Sequence, residues 1–255
     1  ITNRLVGSEM CIRDSPKTGL LLIGMGLGRM EGMTLEALEA ATLADHRRYE
    51  AYTALWPEAE LARLEAKVGP IQRVMRPEVE DPTELLELAA SSLVALLVVG
   101  DPLQATTHVD LQLRAAEAGV SCRVLHGVSI TTLVTGAVGL SNYKFGRQTT
   151  FTYPYGNWIA TSPLEVVASN WSQNLHSLVL LDLDPTGQGI GDQRPMTPAD
   201  AVRSLGMMWH SMQTNEADGS AEDASATAFQ RSMQTDFLEQ SMEAMQVVLC
   251  SDMGT

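Results

Sequence analysis

Two stretches of the chain are apolar without a break: GLLLI at 19–23 and LVALLVV at 93–99. Runs of this length, closed by glycine, predict strands buried on both faces, as in a parallel sheet. Between and after them the apolar residues are spaced at helical intervals. Residues 58–67, 82–91 and 108–118 predict helices, with Pro82 in a first turn and Gly119 ending the last of them. IQRVM at 71–75, fenced by Pro70 and Pro77, and 122–125 predict short strands. The longest helix is expected over 34–56, capped by Thr34, striped by Leu35, Leu38 and Leu43, and broken at Pro57. Alternating strand and helix at this spacing implies an α/β fold with a parallel sheet.

The texture changes over 126–147, which divides the chain into two expected α/β domains, 16–128 and 129–255, without internal repeats. RQTTFTYPY at 147–155 is rich in Thr and aromatics and predicts an exposed or antiparallel strand. A helix is expected at 163–174, a second strongly apolar strand at 177–183, and a Gly/Pro-rich loop at 184–198. A Met-rich helix at 199–213, a flexible acidic loop at 216–226, a helix at 228–246 and a last strand beginning at 247–249 complete the reading. Met207, Met208 and Met212 suit core filling, and Trp158, Trp171 and Trp209 suit packing or an interface.

The 255 residues, 45% hydrophobic and 19% charged, suffice for a folded core. A net charge of −14, from 17 basic and 31 acidic side chains, argues against a nucleic-acid partner. No apolar run approaches the roughly 18 residues of a membrane span. There is no secretory leader pattern, and Cys11, Cys122 and Cys250 are too sparse for a disulfide framework, so a reducing cytoplasm is expected. The first fifteen residues lack an amphipathic period and read as a non-native extension; the C-terminus, VVLCSDMGT, reads as truncated inside a strand.

Two glycine-bearing turns carry the candidate chemistry. GMGLG at 24–28 follows the first buried strand, where glycines let a ligand lie against the backbone. Arg29 stands where a dinucleotide fingerprint needs its third glycine, which disfavours a nicotinamide site. Gly100-Asp101-Pro102 follows the strand at 93–99, so Asp101 is delivered to the carboxyl edge of the sheet, where open α/β sheets bind ligands. The five histidines show no metal-ligand spacing, and Ser129 lacks a nucleophile-elbow context.

GDPLQATTH at 100–108, HGVSI at 126–130, YKFG at 143–146 and LLDLD at 180–184, in order after LLIGMGLG, closely resemble the diphthine synthase family. That family belongs to the tetrapyrrole-methylase-like methyltransferases. The GxGxG and GDP pieces are shared across the larger group, while ATTH, the Ser-Ile pair and YKFG point to the diphthine synthases. The resemblance implies S-adenosylmethionine in a cleft between two α/β domains, at Leu27, Asp101, Gln104, Ser129, Ile130, Leu181 and Met253. Gln104 stands where the family usually has Gly, and HGVSI replaces the usual HNASI. It further implies successive methylation of the amino group of a 3-amino-3-carboxypropyl-histidine on translation elongation factor 2, by a homodimer. Archaeal members stop at trimethylation, and eukaryotic ones add a methyl ester. No metal is required. His108 and Asp110 are candidates for an acceptor of the amine's proton, His108 serving equally well as a helix cap. The alternatives are a member of the same group acting on a tetrapyrrole, and an inactive cofactor-binding module.

Overall fold

Five parallel strands form the first sheet: β1 (Gly19–Gly24), β2 (His46–Glu50), β3 (Gln72–Val74), β4 (Leu93–Val98) and β5 (Cys122–Leu125). Their spatial order is β3-β2-β4-β1-β5, so the two unbroken apolar runs lie side by side, β4 at the centre and β1 between β4 and β5. Every residue of β1 and β4 is buried. Their side chains alternate as a pleat requires. Leu21, Ile23, Ala95 and Leu97 enter one core with α1 (Leu35–Leu43) and α2 (Glu58–Val68). Leu20, Leu22, Val94 and Leu96 enter the other with α3 (Arg76–Glu80), α4 (Thr83–Ser91) and α5 (His108–Glu117). The computed structural model describes residues 17–190, 193–217, 234–251 and 253. The segment 1–15, most of the stretch 216–226, and residues 228–233 of the helix expected at 228–246 lie outside the described residues.

The single long helix expected over 34–56 is instead α1 followed by β2. Thr34 caps α1 as expected, accepting from the Ala37 N–H at 3.1 Å. The helix stops early because its end is bound elsewhere. The Asp45 carboxylate accepts from the Leu93 N–H at 2.9 Å, and the Asp45 N–H donates to Leu93 O at 2.8 Å. The Arg47 guanidinium donates to the carbonyls of Ala41, Thr42 and Ala44, satisfying the open end of the helix. Leu35 is 87% exposed, and the buried positions are Ala37 and Ala41, whose small side chains let the helix lie close to the sheet. Tertiary bonds here override helix propensity.

The second half contains α6 (Ile130–Ala137), β6 (Thr149–Phe151), α7 (Ser162–Ser172), β7 (Val179–Leu181) and α8 (Pro198–Ala217). β6 and β7 pair in parallel, not antiparallel, over three residues each, far less than the expected 147–155 and 177–183. A third core gathers Phe151, Leu164, Val167, Met208, Trp209, Met212 and Phe237, with the Trp209 and Phe237 rings 4.9 Å apart. Trp158 and Trp171 stay exposed. Only residues 234–238 and a short turn at Met242–Ala244 are helical in the described part of 228–246. Residues 247–249 form no strand and are exposed. No described helix is long and apolar enough to cross a membrane.

The loop after β7 turns on Asp184, a buried carboxylate. It accepts from the Thr186 hydroxyl at 2.6 Å, the Thr186 N–H at 2.8 Å and the Gly189 N–H. Gly189 O in turn accepts from the Arg76 N–H at 3.1 Å, docking the loop on α3. Burial alone would raise the Asp184 pKa, but the bonds from Thr186, Gly189 and Gly187 hold it below the ordinary aspartate value. A depressed carboxyl stabilises the fold above the unfolded pKa and loses that effect as pH falls through the folded one. Asp184→Asn is expected to cost about 1–3 kcal/mol at pH 7. Urea midpoints should show the gap closing below about pH 4; a gap independent of pH would contradict this reading.

Candidate active site

β1 and β4 are neighbours, yet the chain leaves them toward opposite faces, β1 into α1 and β4 into α5. The carboxyl ends of such a pair open a crevice between the departing loops, the usual ligand position in an open parallel sheet. GMGLG and GDP are those two loops. They are bridged by reciprocal backbone bonds: the Gly26 N–H donates to Gly100 O at 3.2 Å, and the Gly100 N–H to Gly26 O at 2.9 Å. Both glycines take positive φ, 69° and 76°, which an L side chain would oppose.

A third loop, after β5, crowds the same point. A Cβ on Gly24 would lie 2.7 Å from Gly127 Cα and 2.8 Å from Gly100 O, and a Cβ on Gly127 would lie 2.9 Å from the Gly24 carbonyl carbon and overlap Gly100 O. Gly24, at the end of β1, and Gly127, just past β5, are thus glycines because their backbones approach too closely for any side chain, whereas Gly100, just past β4, is required by its positive φ. Gly127 was not singled out from the sequence, since its partners lie far away in the chain.

Asp101 ties these loops together. Its buried carboxylate accepts from the Leu103 N–H at 2.9 Å through Oδ1, and through Oδ2 from the Gly127 N–H at 3.2 Å and His126 Nδ1 at 2.8 Å. The Oδ2 contact requires a proton on Nδ1 of His126, since a carboxylate can only accept. The sequence reading did not single out His126; only its place in HGVSI hinted at it. Ser129 caps α6, its Oγ accepting from the Thr131 N–H at 3.3 Å, and its Cα lies 3.7 Å from where a Gly100 Cβ would stand. Gln104 is exposed, with its N–H bonded to Asp101 O and its Oε1 3.5 Å from Thr131 Oγ1. Leu27 and Ile130 are half-buried on the GMGLG loop and on α6.

Leu27, Asp101, Gln104, Ser129 and Ile130 therefore sit on three adjoining loops at one edge of the sheet. Leu181 ends β7 in the second sheet and Met253 follows the exposed tail; no hydrogen bond among the described residues joins either to the crevice. Neither candidate for proton transfer is placed for it. His108 is 1% exposed, with Nδ1 on Pro102 O at 3.1 Å and Nε2 3.9 Å from the buried Glu50, so it braces the GDP loop from beneath. Nor does its side chain cap α5, whose cap residue is Thr107. Asp110 is exposed and paired with Arg114 one turn on.

The crevice suits a cofactor that lies against backbone. Among the described residues, the N–H groups of Leu27 and Gly28 have no acceptor, and Gly28 is buried. Beside it lies a cleft of about 520 Å³ between α6 and the segment 142–148, lined by Thr131, Thr135, Asn142, Phe145, Gly146, Arg147, Gln148 and Leu178.

The family model for tetrapyrrole (corrin/porphyrin) methylases matches residues 19–208, which include the sheet, the crevice and the cleft. Curated relatives include the diphthine synthase of Methanoregula boonei, 37% identical over 191 residues, covering 74% of this chain and 74% of the relative. Another is the diphthine synthase of Methanocorpusculum labreanum, 39% identical over 166 residues, covering 64% of this chain and 66% of the relative. A crystal structure of diphthine synthase superposes with a TM-score of 0.65 at 34% identity, covering 76% of this chain and 72% of that one. The chain belongs to the tetrapyrrole methylase family and, within it, to the diphthine synthases, as ATTH and YKFG led us to expect. It spans about two thirds to three quarters of the length of these relatives.

Proposed function

We propose that this protein is an S-adenosylmethionine-dependent N-methyltransferase that successively methylates the amino group of the 3-amino-3-carboxypropyl-histidine on translation elongation factor 2, forming diphthine. The observation that carries the proposal is the crevice itself. The backbones of Gly24, Gly100 and Gly127 meet there beside two backbone donors without an acceptor among the described residues, in a chain whose relatives are named diphthine synthases. Within two α/β domains, 16–128 and 129–255, the cofactor contacts are Leu27, Asp101, Gln104, Ser129 and Ile130, with Leu181 and Met253 added from the second domain. The proposed protein is cytoplasmic and homodimeric.

When bound, the cofactor supplies an electrophilic methyl group on a sulfonium. The chain's task is chiefly alignment, because holding the reacting groups in line removes much of the barrier. Leu27 and Ile130 would hold the cofactor by apolar contact, and the N–H groups of Leu27 and Gly28 would supply hydrogen-bond donors to it. Asp101 fixes the spacing of the loops. The amine must be unprotonated to react.

The test uses the chain extended to the full length of its relatives. It is mixed with S-adenosylmethionine and elongation factor 2 carrying the aminocarboxypropyl-histidine, and the factor is weighed. Methyl masses on that histidine are the expected result, three of them if the chain follows the archaeal members. Bound cofactor without added mass would redirect the search to tetrapyrrole acceptors.

A further inference from the structure

We infer that Arg147, lining the cleft beside the crevice, is the binding site for the carboxylate of the acceptor's amino-acid-like side chain. This deepens the proposed function and rests on it. Arg147 is exposed, and among the described residues no carboxylate lies within ion-pair distance of it. Arg63, Arg73, Arg76, Arg114, Arg123 and Arg194 are paired with acids; among the described residues Arg29, Arg47, Arg48 and Arg203 are not, but of these unpaired arginines Arg147 alone is among the residues that line the cleft. In a chain of net charge −14, an arginine left without an acid on the wall of a concave site is where an outside anion finds its partner.

The backbone under Arg147 is held rigidly. The buried Asn170 side chain accepts from the Arg147 N–H at 3.0 Å and donates to Arg147 O at 2.7 Å, while its amide also donates to Ser177 Oγ at 2.9 Å. Gly146 must be glycine because any Cβ there would collide with that same amide. The segment is pinned on its other side too, by the Gly146 N–H on His176 O at 3.0 Å and the His176 N–H on Lys144 O at 2.7 Å. Fixing both polar groups of one residue's backbone sets the origin of its side chain, as a recognition site requires.

The chemistry of the acceptor selects the ligand. Its amine and carboxylate are borne by the same carbon, so a cofactor site that receives the amine needs a carboxylate partner a few ångströms away. Thr131 forms the facing wall of the cleft and contacts both Ser129, at 3.0 Å between hydroxyls, and Gln104. The cleft is therefore continuous with the proposed cofactor residues. A guanidinium matches a carboxylate through two parallel bonds, which a lysine ammonium cannot reproduce.

The experiment compares the parent, Arg147→Gln and Arg147→Lys, using aminocarboxypropyl-histidine elongation factor 2 and the same factor with that carboxylate esterified. Because the bonds to Asn170 use only backbone atoms of Arg147, the variants should keep the parent's thermal midpoint and its cofactor affinity by calorimetry. Arg147→Gln is expected to raise KM for the free carboxylate at least 10-fold with kcat within about 3-fold, and to treat acid and ester alike. Arg147→Lys should recover part of the KM. A KM for Arg147→Gln equal to the parent's, in a parent that methylates the factor, overturns the inference and leaves the function standing. A parent that binds cofactor but methylates neither acceptor overturns both.

Discussion

Replacing Gly127 by alanine is expected to destabilise the protein by about 3 kcal/mol and to abolish measurable cofactor binding. The added methyl would fall 2.9 Å from the Gly24 carbonyl carbon and into Gly100 O, both backbone atoms of central strands or the turns directly after them. No rotamer change can relieve such a contact; a strand end must move. Because Gly24, Gly100 and Gly127 meet at one point, displacement of one loop separates all three, and the crevice they frame changes shape. Denaturant unfolding together with calorimetric titration of S-adenosylmethionine would test this. A variant with the parent's stability would show that the three backbones are less tightly packed than described.

The second large effect is expected at Asp101. If its carboxylate only touched the cofactor, Asp101→Ala would weaken binding and leave the fold intact, the outcome its position at a strand end first suggests. The hydrogen bonds predict more. Removing the carboxylate orphans the N–H groups of Leu103 and Gly127 and frees His126. Leaving these two half-buried donors without a partner costs about 1–3 kcal/mol in all. A loss of about 3 kcal/mol corresponds to roughly 6–12 °C in a domain of this size. Cofactor affinity should fall by at least about 10-fold, as the GDP and HGVSI loops lose their common tie. His126→Ala removes only the exposed partner and should cost much less stability. If Asp101→Ala melts with the parent, the carboxylate is not what holds the loops.

The parts of this protein most legible in the sequence are those whose signal is local. β1 and β4 read correctly because buried parallel strands are apolar throughout, and both glycine turns announce themselves at their ends; β5, a half-buried edge strand, was legible from the strand–helix alternation instead. β2 was hidden because HRRYE reads as helix, and what makes it a strand is the hold of Asp45 on Leu93 and of Arg47 on α1. α6 was missed because ITTLVTGA combines β-branched residues with a glycine, a poor helix former on its own, although Ser129 caps it. In the site, GMGLG and GDP were visible as motifs. The bonding of Asp101 to His126 and Gly127, and of Asn170 to Arg147, was not, because no spacing rule links partners 23–26 positions apart.

The strand order also has a cost during synthesis. β1, an apolar inner strand, is made before the other strands of its sheet, and its neighbours β4 and β5 begin only at Leu93 and Cys122. At about 5–20 residues per second, β1 waits on the order of 3–15 s before β4 exists. A sheet that closes only when its later-made strand slots between β1 and β2 cannot assemble from the N-terminus inward. Throughout that interval GLLLIG is an unpaired, sticky segment, and the nascent chain's dependence on chaperones should be concentrated there.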